Sequence, residues 1–226
     1  MTQRRRIGVF GGTFDPVHYG HLCMARELKR HFQLDEMRLV PCHIPPHRDT
    51  PIATPEQRLA MLRLAVAESE ELTIDTLELE NSEPSYSLHT LQMLRSQLGG
   101  DVSLALAIGM DSLASLNSWF EWRRLLEFGH LIVAARPGWQ CPSAGELGEY
   151  IAQHLGTVDD VQQSSHGKIV VVELSLLPVS ATQIRAAIGQ GEEIKELVPE
   201  PVRRYIREHS LYAVAPSASA VGALAL

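Results

Sequence analysis

Short apolar runs punctuate the chain at residues 7–10, 37–40, 72–74, 102–108, 130–134 and 168–174, each of a length that suits a β-strand. Between them lie stretches with apolar residues three and four positions apart. Leu22, Ala25, Leu28 and Phe32, for example, share one helical face. The run at 102–108 and the one around 131–135 lack clean period-two alternation, as expected of central strands covered on both faces. Strand alternating with helix predicts an α/β fold: a doubly wound parallel sheet with right-handed crossovers, built as a single domain. Ligands on such sheets bind beyond the carboxyl ends of the strands. The segment 142–167, rich in Gly, Ser and Gln, is expected to be a surface excursion around a short helical piece. A last helix is expected to end near His209, so that residues 1–212 form the domain and 213–226, small and apolar with Pro216, Ser217, Ser219 and Gly222, a weakly ordered tail.

Composition narrows this picture. A chain of 226 residues with 45% apolar content can bury one good core. Its net charge of -7 argues against nucleic-acid binding as the main role, and Arg4, Arg5 and Arg6 read as a solvated lead-in to the first strand. No apolar run approaches the ~20 residues of a membrane span, and the start lacks the apolar core of a secretory signal. Cys23, Cys42 and Cys141 are odd in number and far apart, so a cytoplasmic protein with reduced thiols is expected. A homo-oligomer is compatible with this composition but leaves no mark in it.

The chemistry concentrates where the strands end. After the first comes Gly11-Gly12-Thr13-Phe14-Asp15-Pro16-Val17-His18-Tyr19-Gly20-His21, leading into an amphipathic helix. Glycines that permit a sharp turn, a helix start with its positive dipole end, and two imidazoles able to add charge-assisted donors read together as a phosphate site. This is neither G-x-G-x-x-G nor a G-K-[ST] loop, which removes dehydrogenases and P-loop NTPases. His18 and His21 stand three apart, so metal ligation and a purely structural pair remain alternatives. After the sixth strand comes Pro178-Val179-Ser180-Ala181-Thr182-Gln183-Ile184-Arg185. Here Ser180 and Gln183 make a capping box and Val179 and Ile184 a hydrophobic staple. An ordinary well-capped helix accounts for most of that string, but less easily for Thr182 and for Arg185, whose planar fork suits phosphate oxygens.

Other strand ends carry Pro45-Pro46-His47-Arg48, Gly109-Met110-Asp111-Ser112 and Arg136-Pro137-Gly138; Pro84-Ser85-Tyr86-Ser87 and the aromatic pair Trp119 and Phe120 stand apart. Taken singly, Trp119 reads as core packing and Tyr86 as a strand-end aromatic. Taken together, these motifs resemble the nucleotidyltransferase superfamily with its H-x-G-H signature. The string GGTFDPVHYGHL resembles the bacterial nicotinate-nucleotide adenylyltransferases. The resemblance runs from about residue 7 to residue 212, with Ala181 where relatives often carry Ser and Ser87 where Thr is commoner.

The resemblance implies a Rossmann-like nucleotidyltransferase fold and transfer of AMP from ATP to nicotinate mononucleotide, giving nicotinate adenine dinucleotide and pyrophosphate. It implies catalytic roles for His18, His21 and Arg185. ATP would meet Gly11, Gly12, Thr13, Phe14, His18, His21, Gly109, Asp111, Arg136, Ser180, Thr182 and Arg185. The mononucleotide would meet Phe14, His47, Arg48, Ser85, Tyr86, Ser87, Trp119 and Phe120, the aromatics framing its flat pyridinium. Magnesium is expected to arrive on ATP, without a protein metal site. Rival readings are a relative that acts on phosphopantetheine or another phosphate ester, a nucleotide-sensing protein without turnover, and an H-x-x-H metallohydrolase.

Overall fold

The computed structural model describes residues 4–45, 50–67, 69–81 and 83–213. Six parallel strands form one sheet: β1 (Arg6–Gly12), β2 (Glu36–Pro41), β3 (Thr73–Ile74), β4 (Ser103–Gly109), β5 (His130–Ala135) and β6 (Ile169–Glu173), in the order β3-β2-β1-β4-β5-β6. The strand order reverses between β1 and β4, which pair in register from Arg6 opposite Ser103 to Val9 opposite Leu106. A crevice is therefore expected at their carboxyl ends, and this is the doubly wound arrangement predicted from the alternation.

Two apolar clusters cover the two faces. One contains α1 (Tyr19–His31), α2 (Pro55–Val66), α7 (Val158–Gln163), α8 (Ala181–Gly189) and α9 (Glu200–Glu208), represented by Leu22, Met61, Val161, Ile184 and Val202. The other contains α3 (Ser87–Leu98), α4 (Met110–Ala114), α5 (Leu125–Phe128) and α6 (Gly145–His154), through Leu91, Leu113, Leu125 and Ile151. Strand β4 is buried from Ser103 to Ile108 and β5 along its whole length, which accounts for their unbroken apolar runs.

Two expectations need correction. The segment 142–167 is not a simple excursion: α6 and α7 both bury residues against the sheet layers, Leu147 and Ile151 one turn apart and Val161 further on. Gly148 obscured the helical pattern, yet a Cβ there would lie 2.4 Å from the Ser143 carbonyl carbon, so glycine is what lets α6 pack against its own lead-in. Nor do Gly11 and Gly12 make the turn. They continue β1, opposite Val40 and Pro41. The left-handed backbone falls instead on Phe14, at φ 50°. Gly12 clears space for the Phe14 ring, which a Cβ would meet at 3.2 Å, and Gly11 has nothing within 4 Å of its missing side chain.

Among the described residues no helix is long and apolar enough to cross a membrane, and the three cysteines form no disulfide. Of the tail, only Ala213 lies within the described residues.

Candidate active site

His18 is the N-cap of α1, with extended backbone, and its Nδ1 accepts from the His21 amide at 3.3 Å. This fixes the tautomer. The proton of a neutral His18 ring then sits on Nε2, which is left to donate. The ring is 4% exposed and burial lowers its pKa to about 4, so His18 is uncharged at neutral pH, contrary to the expected charge-assisted donor. The two imidazoles stack with centroids 3.7 Å apart. At that distance two charged rings would repel, so the pair can supply one cation at most. The helix end also offers fewer amides than expected, because Tyr19 N–H donates to Leu197 O at 3.0 Å and His21 N–H is held by His18. Phe14 is fully buried, its ring edge-on to Phe10 and His21, so its side chain does not face a ligand.

The second phosphate motif forms the expected capping box. Ser180 Oγ accepts from Gln183 N, and Gln183 Oε1 accepts from Ser180 N at 3.1 Å. Thr182 is exposed, and its Oγ1 accepts from Arg185 Nη2 at 3.4 Å, while Arg185 Nη1 donates to Asp15 O at 2.7 Å. Gly20 is where the two motifs meet. A Cβ there would lie 3.0 Å from the His18 ring and 3.0 Å from Val179 O, the carbonyl just before Ser180. The glycine of H-x-G-H thus lets the lead-in of α8 close onto the start of α1. From the neighbouring strand, exposed Arg136 reaches Leu177 O at 3.5 Å. Exposed Asp111 sits in the first turn of α4, and a Cβ on Gly109 would stand 2.6 Å from its Oδ1.

The aromatic half of the site is built on α3. Tyr86 is its N-cap residue rather than a strand end, and its ring lies 4.7 Å from that of Phe120, which is 40% exposed. His89, one turn along α3, packs against both rings at 5.5 Å. It went unnoticed in the sequence, although three-residue spacing from Tyr86 was the signal. Trp119 is half-buried and packs against the second core cluster, so the aromatic pair divides: Phe120 toward the surface, Trp119 toward the core. Ser85 Oγ accepts from His43 N at 3.0 Å and Ser85 N donates to Ile44 O at 3.0 Å, which joins this half to the end of β2. Ser87 opens α3 and is half-buried. His47 and Arg48 lie outside the described residues. Beneath the loop, buried Glu78 accepts from Thr90 Oγ1 at 2.5 Å, and burial pushes its carboxyl up.

Between the two halves lie Arg58 and Tyr212, which no sequence motif included, and Asp15 of the first motif, to which no ligand contact was assigned. Arg58 of α2 is wholly buried and donates to Thr13 O at 2.8 Å and His43 O at 3.2 Å. The Asp15 carboxylate, 4% exposed, accepts from Ile52 N, Ala53 N and Tyr212 Oη. Burial and that carboxylate raise the Tyr212 hydroxyl's pKa, which keeps it a donor.

Three comparisons bear on this arrangement. Residues 9–187 match the cytidylyltransferase-like family model. A probable nicotinate-nucleotide adenylyltransferase of Cellvibrio japonicus is 47% identical over 209 residues, covering 92% of this chain and 99% of the relative. The chain belongs to the nicotinate-nucleotide adenylyltransferase family. A second relative of that name, from Aeromonas hydrophila, is 44% identical over 91% of this chain and 96% of its own. Among solved structures, the fold is similar to that of Plasmodium falciparum nicotinic acid mononucleotide adenylyltransferase complexed with NaAD, with a TM-score of 0.71 at 17% identity over 92% of this chain and 98% of that one.

Proposed function

We propose that the protein transfers AMP from ATP to nicotinate mononucleotide, releasing pyrophosphate. A phosphate oxygen of the mononucleotide bonds to the α-phosphorus of ATP as the bond from that phosphorus to the bridging oxygen breaks, with nucleophile and leaving group in line. The attacking phosphate is already anionic, so neither a general base nor a protein nucleophile is required. The rate then depends on bringing two anions together and on donors preorganised for charge growing on the phosphoryl oxygens.

The observation that carries this reading is the junction at Gly20, where the His18–His21 pair and the lead-in of α8 come together; the Tyr86–Phe120 platform stands at the start of α3. In this assignment His18 donates from Nε2 as a neutral group and His21, stacked on it, holds the neighbouring triphosphate oxygens. Ser180, Thr182 and Arg185 take the leaving pyrophosphate. A guanidinium carries five N–H donors, so Arg185 can meet phosphate while still bonded to Asp15 O and Thr182. Asp111 and Arg136 suit the nucleoside side of ATP, and Ser85, Tyr86, Ser87 and Phe120 the pyridine side of the acceptor. Magnesium would arrive on the triphosphate and screen its charge there. A cytoplasmic location is part of this proposal.

Turnover of ATP with nicotinate mononucleotide, nicotinamide mononucleotide and phosphopantetheine tests it. The first acceptor is expected to be fastest, and preference for either of the others would overturn the assignment.

A further inference from the structure

Asp15 bonds to the triphosphate half of the site and to the lead-in of α2 with different atoms. Its carbonyl accepts from Arg185 Nη1 at 2.7 Å, on the triphosphate side. Its carboxylate accepts from Ile52 N at 2.8 Å and Ala53 N at 3.1 Å, the residues that lead into α2. One turn into α2, Arg58 donates to Thr13 O in the loop after β1 and to His43 O, and the His43 amide donates to Ser85 Oγ of the loop before α3. The third donor to the carboxylate is Tyr212 Oη at 2.7 Å, 197 residues away in sequence. Burying a carboxylate is costly, and here three donors offset that cost where apolar packing would have sufficed for stability alone.

We propose that Asp15, oriented by Tyr212, is a positioning residue that keeps the triphosphate half of the site in register with the aromatic half through the start of α2. The proposal rests on the reaction assigned above. Without the Tyr212 hydroxyl, the carboxylate loses one of three restraints and the lead-in of α2 gains freedom. Arg58 then holds Thr13 and His43 less exactly relative to one another, and the two substrates meet with poorer alignment.

The test is steady-state kinetics of Tyr212→Phe, Asp15→Asn and the double variant, at a temperature well below each variant's Tm. Tyr212→Phe is expected to lower kcat about tenfold and raise the acceptor KM, with ATP KM within about twofold of wild type. Asp15→Asn replaces one accepting oxygen with an NH2 group that faces at least one of the three donors, and a loss of about a hundredfold is expected. The double variant should be no slower than Asp15→Asn alone, because the two residues act as one unit. Wild-type kcat and acceptor KM in both single variants, whatever their Tm, would overturn the proposal, as would a double variant whose losses multiply. Wild-type inactivity toward nicotinate mononucleotide would instead overturn the assigned reaction, and the variants would then be compared on the acceptor that does turn over.

Discussion

Replacing Gly20 with Ala probes the seam between the two phosphate motifs with one methyl group. Gly20 lies in the first turn of α1, where alanine is the better helix former by about 1 kcal/mol. The new Cβ would stand 3.0 Å from two atoms of the His18 ring and 3.0 Å from Val179 O, so these neighbours must retreat by a few tenths of an ångström. The strain is of the same order as the gain in propensity, and the Tm is expected to move by only a few degrees. The consequence for rate is larger. His18 carries the Nε2 donor and Val179 precedes the Ser180 cap, so the retreat separates groups assigned to the same triphosphate. Misplacement by 1 Å can cost about a hundredfold, and a few tenths should cost about tenfold in kcat. Saturating turnover with ATP and nicotinate mononucleotide, measured alongside thermal unfolding, reads both effects. A wild-type kcat at unchanged Tm would refute the reasoning, because the seam could then widen without consequence. A fall in Tm with kcat preserved would make Gly20 a packing residue only.

Other outcomes follow from the same geometry. Burial lowers both His18 and His130 from 6.5 to about 4, with His130 also acting as acceptor for Lys168 N and bonded to Ser164 O. Between those values the unfolded chain binds protons that the folded chain refuses. Their stabilising contribution is therefore complete above about pH 6.5 and is lost as pH falls toward about 4, at about 3 kcal/mol for each imidazole. Urea unfolding between about pH 7 and about pH 5 captures about 2 kcal/mol of it for each imidazole, and a flat profile would contradict the burial argument. Phe120→Ala should raise the acceptor KM with Tm and ATP KM unchanged, whereas Trp119→Ala should lower Tm by several degrees; calorimetry and kinetics on both variants would show the reverse if Trp119 were the platform. Deleting residues 214–226 should leave kcat and Tm at wild-type values, provided that Tyr212 is retained, and a loss of either would mean that the tail docks on the domain.

Much of this molecule was legible in the residue order because the signals were local. Apolar runs and helical spacing depend on neighbours a few residues apart, and they located all six strands, the α1 face and the Ser180–Gln183 box. The phosphate motifs were readable for the same reason, since His18, Gly20 and His21 share one turn of helix, as do Thr182 and Arg185. Residues 142–167 misled because helix propensity is low at Gly148, and only the contact with Ser143 explains that glycine.

Long-range pairing left no such mark. Nothing near Arg58 announces that its guanidinium will be wholly buried against carbonyls of the β1 and β2 loops, and nothing near Tyr212 announces Asp15. The protonation of His18 was equally hidden, because an imidazole's charge depends on how much water the fold leaves around it. Local order therefore determined the sheet, its helices and the capping box at Ser180. The tertiary structure alone decided that His18 is neutral, that Phe120 rather than Trp119 reaches the surface, and that Asp15 joins the two halves. Desolvation and hydrogen bonding between distant segments are set only when the chain has closed around them.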